Sequence, residues 1–117
     1  MSVEIKQVEY RRTIPPLTGA RITRVASITG KITSLIAHFP AGCNQLVSLR
    51  FGIEREGKGQ VFPSPSETYL TLDDWTKEFA LNELIEKGDQ MWVDVLNADA
   101  ANPHTPVVLV EIKGKGL

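Results

Sequence analysis

Alternation is the feature that most limits what this chain can fold into. Val47-Leu49-Phe51-Ile53, Met91-Val93-Val95 and Val108-Val110-Ile112 place an apolar residue at every second position. Successive side chains of a strand point to opposite faces, so each run presents one apolar stripe. Turn-forming clusters separate the runs: PAG, REGKG, PSPS, EKGD and NADAANPH. Short strands with turns at intervals of roughly 8–12 residues predict an antiparallel sandwich or barrel. The expectation is an all-β, jelly-roll-like sandwich of about eight strands.

The chain has 117 residues, enough for one domain that buries its own core without disulfides. Residues 1–16 read as an N-terminal strand or arm, closed by Ile14-Pro15-Pro16, and 17–117 as the sandwich domain. Strand candidates follow at 20–28, 31–39, 45–54, 60–62, 67–72, 90–96 and 105–113. The 31–39 run (KITSLIAHF) is apolar on both faces, which suits a central strand. Gly52 inside the 45–54 run marks a bulge or a close backbone approach.

The segment 73–88 (DDWTKEFALNELIEKG) is ambiguous. Local propensity favours a short helix over 73–87, capped by Asp73 or Asp74 and ended by Gly88. The apolar stripe drifts around such a helix. A strand is therefore preferred, with Asn82 turning the chain and Lys87-Gly88-Asp89 turning it into the next strand.

Chemistry is sparse. His38, Cys43, Met91 and His104 are copper-ligand types, but their spacing does not group them, and no CxxC, HxH or HExxH occurs. Asp73, Asp74, Asp94 and Asp99 are turn carboxylates without a calcium-loop pattern. No GxSxG or phosphate loop is present. No catalytic residue, metal ligand or cofactor is assigned, and the chain is read as non-enzymatic. The single cysteine excludes an intrachain disulfide. The N-terminus lacks the apolar core of a signal peptide, and no run of about 18 apolar residues exists to span a bilayer as a helix.

Charge and aromatics carry the interaction reading. The net charge is −1, yet residues 1–31 hold six basic side chains against Glu4 and Glu9, and the remainder is net acidic. A basic arm around Arg11 and Arg12 would dock on an acidic protein surface. Nucleic acid is disfavoured, because Arg11-Arg12 is only a pair, the domain is not basic overall, and no cluster of stacking aromatics accompanies it. Trp75 and Trp92 are the candidate interface anchors. Trp92 and Leu96 lie opposite Met91, Val93 and Val95, while Val107 and Leu109 lie opposite Val108 and Val110. A sandwich strand needs one buried face, so apolar residues on the other predict a homo-oligomer. The alternative is a carbohydrate- or ligand-binding module using Trp75, Trp92, Tyr69 or Tyr10 as platforms.

The runs FPAGCNQLV (39–47), LDD (72–74), EKGDQMWV (86–93) and NPHTPVVLVEI (102–112) resemble small single-domain jelly-roll or sandwich proteins of viruses and phages. The resemblance implies a virion structural or capsid-decorating role, as a trimer or other ring.

Overall fold

The computed structural model describes residues 5–43, 46–54, 59–62, 70–71 and 75–114. The strands are β1 (Ile5–Arg11), β2 (Thr18–Val25), β3 (Gly30–Phe39), β4 (Val47–Glu54), β5 (Gly59–Phe62), β6 (Leu70–Thr71), β7 (Trp75–Ile85), β8 (Gln90–Asn97) and β9 (Val107–Gly114). They form two antiparallel sheets. The first has the order β1-β9-β3-β7; the second runs β2-β8-β4-β5, with β6 also paired to β4. The expected all-β sandwich is the observed one, and β3 is an interior strand.

The alternating stripes are what bring the sheets together. Leu35, Ala37, Phe39, Val108, Val110 and Ile112 of the first sheet are buried against Val47, Leu49, Phe51, Ile53, Met91 and Val93 of the second. Tyr10 crosses between them. Its ring meets Phe51 edge-on at 6.4 Å between centroids, and its hydroxyl donates to the Met91 carbonyl at 3.2 Å. Burial pushes the Tyr10 hydroxyl's pKa up, with the nearby Arg24 charge opposing. At the open edge, Phe62 of β5 packs on Phe79 of β7 at 4.6 Å.

The helix expected as the alternative over 73–87 does not form over its described part. Residues 75–85 are one strand paired along β3. Nor does Asn82 turn the chain. Residues 81–82 lie opposite a slip in register between Ile32 and Ser34 of β3, so Asn82 sits in an irregularity of the pairing rather than at a corner. Inward-facing Phe79, Leu81 and Ile85 alternate with outward-facing residues, and burial of that stripe overrides helix propensity. Asp73, Asp74 and Tyr69 lie outside the described residues. The Lys87-Gly88-Asp89 turn is present: Gly88 has φ 96°, and the Asp89 amide donates to the Glu86 carbonyl.

Candidate functional site

Cross-strand partners share a face, so the registers fix what each sheet presents outward. On the second sheet, Arg21, Asp94 and Arg50 form one row across β2, β8 and β4. The neighbouring row is Thr23, Trp92 and Gly52. Beyond it lie Val25, Gln90 and Glu54; on the other side lie Gly19, Leu96 and Ser48.

Arg21 grips Asp94 with two bonds, Nε to Oδ1 at 2.6 Å and Nη2 to Oδ2 at 2.9 Å. Arg50 Nε donates to Oδ2 at 2.9 Å. Partial burial alone would raise the Asp94 carboxyl, but these bonds and the two positive charges outweigh it and hold its pKa below the ordinary value. Both guanidinium groups also stack on Trp92, Arg21 at 4.1 Å and Arg50 at 5.7 Å from the ring centroid. Gly52 leaves room for the indole beside it. Trp92 is thereby only 6% exposed on an outward face. Its own chain provides the cover.

The first sheet presents four rows outward. They are Arg11-Val107-His38-Thr76, Glu9-Leu109-Ile36-Glu78, Gln7-Glu111-Ser34-Ala80 and Ile5-Lys113-Lys31-Leu84. Val107, Leu109 and Ile36 are half-buried, whereas Ile5 and Leu84 are exposed.

The predicted interaction residues are not brought together. Arg11 lies on edge strand β1, ion-paired to Glu9 at 2.7 Å, and exposed Arg12 follows it. Trp75 is 55% exposed at the start of β7, the opposite edge of the same sheet. Trp92 belongs to the other sheet. Of the basic residues in 1–31, Arg21 is engaged with Asp94, and Arg24 reaches to 5.8 Å from the Tyr10 ring centroid.

A second polar cluster sits at one end of the sandwich. Asn97, 2% exposed, directs Nδ2 to the carbonyls of Ile14, Pro15 and Asn102 at 3.0, 3.3 and 3.0 Å. Its Oδ1 accepts from the Asp99 amide. Asp99 Oδ1 accepts from the amides of Ala101 and Asn102, and Oδ2 from His104 Nε2 at 2.8 Å. The Ala101 amide bond and then the His104 contact hold the Asp99 carboxyl down to about 2. Its ionised form is thus favoured in the folded chain. That contribution is fully present above the unfolded carboxylate range near pH 4, and is lost as pH falls toward about 2. Asp99→Asn is expected to lower stability at pH 7 and to flatten the stability–pH curve between about pH 4 and 2. Urea melts across that range check this; an unchanged slope would count against it.

Cys43 and Met91 are fully buried, and His38 bonds the Thr76 hydroxyl at 2.6 Å. Among the described residues, no three His, Cys, Asp or Glu side chains stand together as a metal-holding group. No described helix is long and apolar enough to cross a membrane.

The Asn97–Asp99–His104 cluster and the Arg21–Asp94–Arg50 row were not anticipated from sequence. The first had one signal, an Asp with amide donors two and three residues on, typical of an Asx turn. The second depends on pairing between distant strands.

No protein-family model matches the chain. No curated protein matches it either. Among solved structures it is similar to the Yersinia pseudotuberculosis-derived mitogen, with a TM-score of 0.58 and 13% identity. The match covers 96% of this chain and 90% of the mitogen. The likeness is one of fold.

Proposed function

We propose that this chain is a non-enzymatic interaction protein that assembles with copies of itself. The observation that carries the reading is that both outer sheet faces bear apolar side chains in ordered rows. Val107, Leu109 and Ile36 line one, with Ile5 and Leu84 exposed near its end; Leu96 and Val25, 43% and 59% exposed, flank the other. Apolar surface on both sides of a sandwich is removed from water most simply by another subunit. Side chains capable of chemistry are meanwhile used internally: Cys43 is in the core and His104 is bound to Asp99. Apart from β4, β5 and β6, which share the second sheet, successive strands alternate between the sheets, a topology we read as a jelly roll. Together with the resemblance to virus and phage sandwich proteins, this favours a virion structural or capsid-decorating role, as a trimer or other ring.

Light scattering after size exclusion tests the reading on the full chain. Multiples of the 12.9 kDa mass support it. A monomer at all concentrations up to about millimolar would overturn it. Deleting residues 1–16 is not the right probe, because Tyr10 and Ile14 are core residues, each 1% exposed.

The competing carbohydrate-binding reading keeps one platform among the described residues, Trp75, with the Lys77 ammonium 5.6 Å from its ring centroid. Tyr10 is in the core, and Trp92 is covered. Glycan binding that is lost in Trp75→Ala would favour that reading.

A further inference from the structure

The described residues expose seven large apolar side chains, and three of them share one corner of the second sheet. Leu96 of β8 lies in the row of Gly19 and Ser48. Val47 pairs with Asn97, and the Ala98 amide donates to the Leu46 carbonyl at 2.8 Å. Leu46 and Ala98 therefore form the next row toward that end of the sandwich. Leu17 adjoins it: its amide donates to the Asp99 carbonyl at 3.1 Å, and Thr18 beside it pairs with Asn97. Leu17, Leu96 and Leu46 are 67%, 43% and 37% exposed. None of the residues in the two rows is charged, and their one hydroxyl, on Ser48, is bonded to Thr71.

Leu17 is also held against its own backbone preference. Its φ is 55°, in the left-handed region where a side chain is unfavourable and glycine is usual. Thr18 Oγ1 donates to the Pro15 carbonyl at 2.8 Å, and together with the Asp99 contact this fixes the turn. Within the chain, a side chain so exposed offsets little of that strain. Strain of this kind collects where a surface is held ready for a partner. The other four exposed apolar side chains stand beside charge. Ile5 and Leu84 share a row with Lys113 and Lys31, Val25 shares one with Glu54, and the Lys77 ammonium is 5.6 Å from the Trp75 ring centroid. A charged group pressed onto the leucine corner would lose its hydration without gaining a partner. Of the apolar surfaces that the described residues expose, the one that fits this corner is the corner itself.

We infer that the Leu17–Leu46–Leu96 corner of one copy packs on the same corner of another across a symmetry axis, with Leu17 as the anchor. The inference rests on the self-assembly reading and names the surface through which it acts. Symmetry makes the contact self-complementary, so a charge within it would meet its own kind; this corner has none to repel. An apolar centre depleted of charge is also what distinguishes the core of a protein interface from its rim.

Leu17→Gly tests this with little danger to the fold, because glycine suits a φ of 55°. The expected result is a split. The thermal midpoint of the dilute, dissociated chain holds or rises. The concentration at which light scattering shows half dissociation rises about a hundredfold, as expected for apolar side chains lost from the centre of a contact. A leucine with a merely structural role would not give that split. Leu96→Ser is expected to dissociate the oligomer likewise, and Leu84→Ser, on the first sheet, to leave it intact. Circular dichroism checks that each variant is folded. An oligomer persisting in folded Leu17→Gly or Leu96→Ser would overturn the inference, as would equal dissociation by Leu84→Ser; the self-assembly reading then stands. A monomeric unmodified chain overturns both.

Discussion

Asn97→Ala is expected to destabilise the fold by about 3 kcal/mol, since a buried polar group left without its partner costs about 1–3 kcal/mol. The Asn97 amide joins the loop after β1 to the loop after β8: its two hydrogens are shared among three carbonyls, and its own oxygen holds the Asp99 amide. Truncation removes all of these bonds at a site 2% exposed. The Ile14 carbonyl keeps the His104 amide as a donor at 3.2 Å, which moderates the loss. The remaining deficit falls on the Asn102 carbonyl and the Asp99 amide. Urea denaturation reads the energy. Amide exchange reads the locality, with protection lost first at Leu17, whose amide donates to the Asp99 carbonyl. A loss under about 0.5 kcal/mol, the range of ordinary surface changes, would refute the clamp.

Gly52→Ala should be at least as damaging, although it adds one methyl group. A Cβ there would overlap Cζ2 of Trp92 and stand 2.5 Å from the Gly59 carbonyl oxygen. The indole can shift only by disturbing the arginines that stack on it, and the carbonyl belongs to the paired strand β5. Overpacking of this kind costs about 1–3 kcal/mol, and contact with backbone places it at the upper end. The denaturation midpoint should fall with the m-value unchanged. Combining the change with Trp92→Leu apportions the cost: the part due to the ring is recovered, and the part due to the Gly59 carbonyl is not. Unaltered stability in Gly52→Ala would mean that Trp92 has room to move, and that the row beside it is looser than its geometry indicates.

Much of the sandwich is legible from side-chain parity alone. The alternation in β4, β8 and β9 places Phe51, Val93 and Val110 inward, and all three are fully buried. The two-sided apolar run of β3 marks an interior strand. Gly52 reads as a bulge or a close approach, and the structure has both: a register shift between Phe51 and Gly52, and the Trp92 ring alongside. Parity also places Trp92 on the outward face of β8. It cannot show that Arg21, 71 positions earlier, lies over the ring, because that depends on β2 pairing with β8. The same limit hides the Arg21–Asp94–Arg50 row, whose three members come from three strands. Asn82 misleads for a related reason. A turn-forming residue opposite a register slip has the same local signature as one at a corner, and only β3 tells them apart.

The placing of β1 beside β9 bears on how the chain reaches its native state. Of the strands of this sandwich β1 leaves the ribosome before all others and its hydrogen-bonding neighbour β9 after all others, so the first sheet cannot be completed until β9 has emerged. Pairing between distant segments is slow, because the entropy of closing the loop is lost before contacts reward it. Growing chains therefore carry the Val8 and Tyr10 stripe without its native cover until β9 emerges, a state in which capture by a chaperone competes with aggregation.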